Sequence, residues 1–129
     1  MNKKLLITAA ILGILGIVLG AFAAHSLEMF LDVKAIKSFE TGVRYQMYHA
    51  FFLLILGGTS FISQKTKSYV LILVITGVIF FSFSIYGLAT NALTSFDFKT
   101  IAFITPIGGL LMIISLVMLG IKYATNKSE

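Results

Sequence analysis

The sequence predicts an all-α membrane protein of four transmembrane helices, and three observations predict it. Of its 129 residues 58% are hydrophobic and 12% charged, with a mean hydropathy of +1.00, a balance foreign to water-soluble domains. The apolar residues fall into long uncharged runs instead of alternating with polar ones. The lysines and arginines gather where those runs end. At this length one domain, covering residues 1–129, is the expectation.

The first span, residues 5–24, is an uncharged run from Leu5 to Ala24; as a helix it rises about 30 Å, the thickness of a hydrocarbon core. Lys3, Lys4 and the Ala21-Phe22-Ala23 cue also suit a signal peptide, but the run is too long and three more spans follow. Ala50 to Ile62 is too short to cross alone, so the second span is placed at 45–62. Ahead of it lies the longest loop, from His25, with Glu28, Asp32, Lys34, Lys37, Glu40 and Arg44. Asp32 is a candidate N-cap for an amphipathic helix, with Ala35, Ile36, Phe39 and Val43 on one face and Lys34, Lys37, Glu40 and Arg44 on the other. No glycine or proline separates Val43 from Ala50, so this helix is expected to lead into the second span. Spans three and four are placed at 69–90 and 101–121.

With the N-terminus inside, Lys3, Lys4, Lys65, Lys67, Lys122 and Lys127 lie on the cytoplasmic side, and Lys34, Lys37, Arg44 and Lys99 opposite. The larger basic count predicts both termini cytoplasmic. Tyr69 and Tyr123 then mark one interface, and Tyr45, Tyr48 and Tyr86 the other. The net charge of +5 is explained by a lipid surface, and no nucleic-acid partner is expected. The absence of cysteine excludes disulfides, thiolate metal sites and thiol catalysis. The span centres carry no Asp, Glu, Lys or Arg, which argues against a transporter. No carboxylate pair or Ser–His–Asp set has catalytic spacing, so neither catalytic residues nor a metal site are assigned.

What remains is a set of polar residues converging on the outer side. His25, Arg44, Tyr45, Tyr48, His49 and Tyr86 form the candidate ligand-binding set. Arg44 with the two tyrosines suits an anionic or carbonyl oxygen, such as a lipid phosphate or a quinone, and a His25/His49 pair suits haem. The competing reading makes the same side chains a hydrogen-bonded network that fixes the helix ends, with no cofactor. Glu40 and Arg44 are spaced i, i+4 for an ion pair. Gly16 and Gly20 make a G-x-x-x-G face for helix packing or for a homo-oligomer. Thr105 and Pro106 sit early in the fourth span; the proline is expected to bend it, and Gly108-Gly109 to admit a close neighbour. Asn126-Lys127-Ser128 matches a glycosylation sequon, placed on the wrong side of the membrane for use.

Four segments carry a family resemblance. Gly20-Ala21-Phe22-Ala23-Ala24-His25-Ser26-Leu27, Phe39 to Ala50 (FETGVRYQMYHA), Phe81-Ser82-Phe83-Ser84-Ile85-Tyr86 and Ile104-Thr105-Pro106-Ile107-Gly108-Gly109 resemble, in order, the signatures of the small membrane proteins labelled domain of unknown function 423, which include the eukaryotic transmembrane protein 256. Ala23 and Phe83 depart from it, standing where small glycine-like residues are expected. The resemblance implies a multi-pass protein of a bacterial-type inner membrane whose biochemical role is not established. The function expected is that of a structural or accessory subunit, with membrane lipids, a homo-oligomer or another membrane protein as partners. The alternative is a binding protein for a quinone, lipid or haem.

Overall fold

The computed structural model describes residues 2–125. Four long helices carry the chain: α1 (Lys3–His25), α2 (Val33–Gly58), α3 (Gln64–Ala89) and α4 (Ile104–Thr125). Short 3-10 turns at Leu27–Met29, Asn91–Leu93 and Phe98–Ile101 lie in the connections. No strand occurs among the described residues. The segments Lys3–Met29, Gln64–Ala89 and Ile104–Thr125 are long and apolar enough to cross a membrane. The sequon at Asn126, and Lys127, lie outside the described residues.

Each start has a local cause. The side chains of Asn2, Asp32 and Ser63 accept hydrogen bonds from the backbone N–H of Leu5, Ala35 and Thr66, closing the first turns of α1, α2 and α3. Beyond Asp32 the chain continues as a single helix to Gly58, where Thr59 turns extended and bonds back to Leu56. Residues 60–62, placed by the sequence inside the second span, belong instead to the turn before Ser63.

Pro106 also differs from expectation. Because α4 begins at Ile104, the proline falls in the first turn, where a backbone N–H has no intrahelical acceptor to lose. It marks the start of α4 and does not bend its middle.

The helices pack in sequence order, α1 on α2, α2 on α3 and α3 on α4, with α1 and α4 at the flanks. One apolar cluster joins Leu5, Ala9 and Leu12 to Leu53, Leu56, Val70, Val74 and Met112. A second, at the other end, joins Ala23, Leu27, Phe39 and Ala89. Gly16 meets Met47, Gly20 meets Val43 at 3.4 Å and Gly57 meets Leu5 at 3.0 Å, measured from where a Cβ would stand. The G-x-x-x-G face of α1 is therefore covered by α2 within the same chain. Outward, α1 and α4 expose Ile7, Ile14, Ile17, Leu110, Ile113 and Val117, as helices bounded by lipid do.

The two ends of the bundle differ in charge. Glu28, Asp32, Glu40 and Asp97 all belong to the end with the long connections, whereas Lys3, Lys4, Lys65, Lys67 and Lys122 mark the opposite end, without a carboxylate among the described residues. Lys67 departs from the exposed position that its sequence suggests: its side chain is fully buried and donates to the Thr59 carbonyl at 2.5 Å. A cation in the first turns of α3 opposes that helix's dipole, but here it meets the negative end of α2.

Candidate functional site

The polar residues of α2 divide between two faces. Gly42, Gln46, His49 and Leu53 form the buried stripe; Glu40, Arg44, Tyr48 and Phe51 form the exposed one, half a turn away at 100° per residue. The six candidate ligand residues therefore do not converge on one cavity. Arg44 is exposed and forms no ion pair with Glu40 among the described residues. On the surface both long side chains are free to extend toward water. Tyr48 is 55% exposed and stands edge-on to Tyr45, which reaches on to Phe81 of α3.

The histidines are also apart. The pairs Gly20–Val43, Gly13–Ala50 and Gly57–Leu5 set an antiparallel register that puts His49 level with Ile14. His25, exposed at the end of α1, is then eleven residues further along, roughly 16 Å. The His25/His49 pair required for bis-histidine haem ligation is not brought together. His49 is buried, with Nδ1 2.8 Å from the Tyr45 carbonyl one turn earlier in its own helix and its ring edge-on to Phe52. Among the described residues no three His, Asp or Glu side chains cluster closely enough to hold a metal.

What the fold does assemble is a set of hydrogen bonds between helices. Gln46, fully buried, donates through Nε2 to the Leu12 carbonyl of α1 at 2.8 Å and accepts through Oε1 from the Tyr86 hydroxyl of α3 at 2.6 Å. The Ser82 hydroxyl donates to the Gly42 carbonyl of α2 at 2.7 Å. Ser84 donates to its own helix, at the carbonyls of Phe80 (2.5 Å) and Phe81 (2.9 Å), and its oxygen lies 2.6 Å from the Thr105 hydroxyl of α4. Each of the four helices is thus tied to a neighbour by a polar side chain, and no buried side-chain N or O lacks a partner among the described residues.

Tyr86, placed at the interface by its sequence position, turns inward because Gly42 lets it. A Cβ at Gly42 would stand 2.7 Å from the tyrosine ring and 3.2 Å from the Ser82 carbonyl. The ring stacks against Phe39, with centroids 4.7 Å apart.

Where these bonds meet α3, the helix widens into a π-turn over Ile79–Phe83, a feature frequent at constrained sites. α4 touches that turn with backbone: a Cβ on Gly108 would overlap Phe81 N and stand 2.7 Å from the Phe80 carbonyl carbon. Gly109 meets only the Phe81 ring, at 3.6 Å. On the loop side Asn91 accepts from the Phe98 N–H at 2.8 Å and donates to Asp97, holding the connection to α4 closed.

Sequence reasoning singled out Tyr86, Thr105 and the glycines but passed over Gln46. The available signal was an amide on the stripe of Gly42 and His49, beside the apolar run that starts at Ala50.

Comparison with known proteins places the chain among membrane proteins. The family model described as "Protein of unknown function (DUF423)" matches residues 19–109, from the second half of α1 to Gly109. The UPF0382 membrane protein of Haemophilus influenzae is 35% identical over the whole of this chain and 98% of its own length. The Bacillus subtilis UPF0382 membrane protein YwdK is 33% identical, covering 94% of this chain and 98% of its own. The Escherichia coli UPF0382 inner membrane protein YgdD is 32% identical over 84% of this chain and 79% of its own. No solved structure matches at a significant level. The chain belongs to the DUF423 family, a family of helical membrane proteins without an established biochemical role.

Proposed function

From that membership we propose that the protein is a non-enzymatic, four-span module of a bacterial inner membrane, acting as a scaffold or accessory subunit with both termini in the cytoplasm. One observation carries the reading: the buried polar side chains in the middle of the bundle, Gln46, His49, Ser82 and Ser84, are engaged with other helices or with their own backbone, leaving none of these four turned toward a substrate. Such a pattern suits a rigid body that presents its surface to another membrane protein. The expected sample is free of stoichiometric quinone or haem by native mass spectrometry and absorbance, with Arg44→Ala and Tyr48→Ala unchanged in mass profile and melting. A stoichiometric small molecule that disappears in folded Arg44→Ala or His49→Ala would overturn the reading.

The fourth crossing and the orientation rest on two arguments. Because Val43–Gly57 of α2 runs beside Gly20–Leu5 of α1, both segments occupy the same slab, so α2 crosses wherever α1 does. The lysine-rich, carboxylate-free end is then the cytoplasmic one. Since the chain has no cysteine, single-cysteine variants give an unambiguous readout. An impermeant maleimide is expected to label Ser95→Cys in intact cells and Ser60→Cys only after permeabilisation; the reverse pattern refutes the orientation.

A further inference from the structure

We propose that the lysine-rich end of the bundle holds one anionic phospholipid, its headgroup phosphate beside Lys122 and one acyl chain in the groove between α2 and α4. A cleft of about 520 Å³ opens there between the α2–α3 turn and the last turn of α4, with Ser60, Ser63, Thr66, Lys122 and Thr125 on its walls. Four hydroxyls and an ammonium line it, with no carboxylate among those residues; the Thr125 hydroxyl donates to the Ile121 carbonyl. Ser63 donates to the Thr66 hydroxyl, which leaves the Thr66 proton free for an acceptor in the cleft.

Phe61 and Ile62 also line a second, wholly apolar groove of about 200 Å³, which continues along α2 and α4 past Phe52, Ile55, Leu119 and Tyr123. A polar, cationic compartment beside an apolar one, with Phe61 and Ile62 as shared walls, matches a lipid's two chemistries; a free phosphate would have no use for the groove. Charge supports the same occupant. Every carboxylate among the described residues lies at the far end of the bundle, while Lys3, Lys4, Lys65 and Lys122 belong to this one, a balance that favours an anion over a cation among those residues. This site is separate from the outer polar residues, and from the interhelical hydrogen bonds on which the scaffold reading rests.

The test is native mass spectrometry of the full chain in mild detergent, given phosphatidylglycerol and phosphatidylcholine of equal chain length in equal amounts. One phosphatidylglycerol is expected to be retained in preference. Retention should fall about five-fold in Lys122→Gln, as one surface cation warrants, and fall also in Leu119→Trp, which fills the groove. Lys99→Gln, at the other end, should change nothing. Circular dichroism checks the fold of each variant; should Leu119→Trp not fold, Ile55→Trp blocks the same groove from α2, where the side chain is 68% exposed. Equal retention of the two lipids, indifference to Lys122→Gln, or displacement of the lipid by inorganic phosphate alone would overturn the proposal. None of these outcomes bears on the bonds made by Gln46, so the lipid site can fail while the scaffold reading stands.

Discussion

Gly108→Ala is expected to destabilise the protein by about 3 kcal/mol, measured by titrating the purified protein from mild detergent into SDS and following ellipticity. The new methyl group would meet Phe81 N and the Phe80 carbonyl carbon, atoms of the α3 backbone. A flexible side chain could swing aside, but a helix backbone held by Ser84 on one side and Gly42 on the other cannot, so α3 and α4 must separate. Two alanines serve as internal standards. At Gly109 the same methyl finds the Phe81 ring at 3.6 Å, an ordinary contact, and at Gly120 it meets nothing within 4 Å. Both should be neutral, or stabilising by up to about 1 kcal/mol through helix propensity. If Gly108→Ala matched Gly109→Ala, the close approach of α3 and α4 would be refuted.

Gln46→Leu should cost about 2 kcal/mol in the same assay, because the leucine keeps the volume but takes the acceptor from the half-buried Tyr86 hydroxyl and the donor from the buried Leu12 carbonyl. Tyr86→Phe removes the donor and the stranded group together, and about 1 kcal/mol is expected. The double variant should then cost about as much as Gln46→Leu alone, a coupling near 1 kcal/mol of the size measured for hydrogen bonds between membrane helices. Strict additivity would show that the two side chains do not share their bond.

Element existence was legible because composition and capping chemistry act locally. Asp32 before a periodic apolar face predicted a helix start, and the backbone N–H of Ala35 bonds to it. What crosses between helices was less legible. That His25 and His49 miss each other follows from an antiparallel register set by where glycines on α1 and α2 allow contact, and no spacing within one helix encodes that offset. Pro106 reads as a helix-interior residue because the uncharged run already begins at Ile101, the last residue of the 3-10 turn, whereas α4 begins only at Ile104. Lys67 reads as one more interfacial cation until the α2–α3 turn brings the Thr59 carbonyl to it. Gln46 carries no charge and stands between Tyr45 and Met47, so nothing in composition marks it.

The π-turn of α3 acts as a phase correction. Val70, Val74, Val78, Ser82 and Tyr86 recur every four residues, and in an uninterrupted α-helix each such step overshoots a full turn by about 40°. By Tyr86 the accumulated drift would be about 160°, aiming the tyrosine away from the stripe that Val70 and Val74 bury. One additional residue in the turn at Ile79–Phe83 takes back about 100° and returns Ser82 and Tyr86 to the side on which Gly42 and Gln46 wait. The two halves of α3 thus keep separate angular origins. The lower half aims its valines at the apolar cluster, and the upper half aims its polar groups at α2.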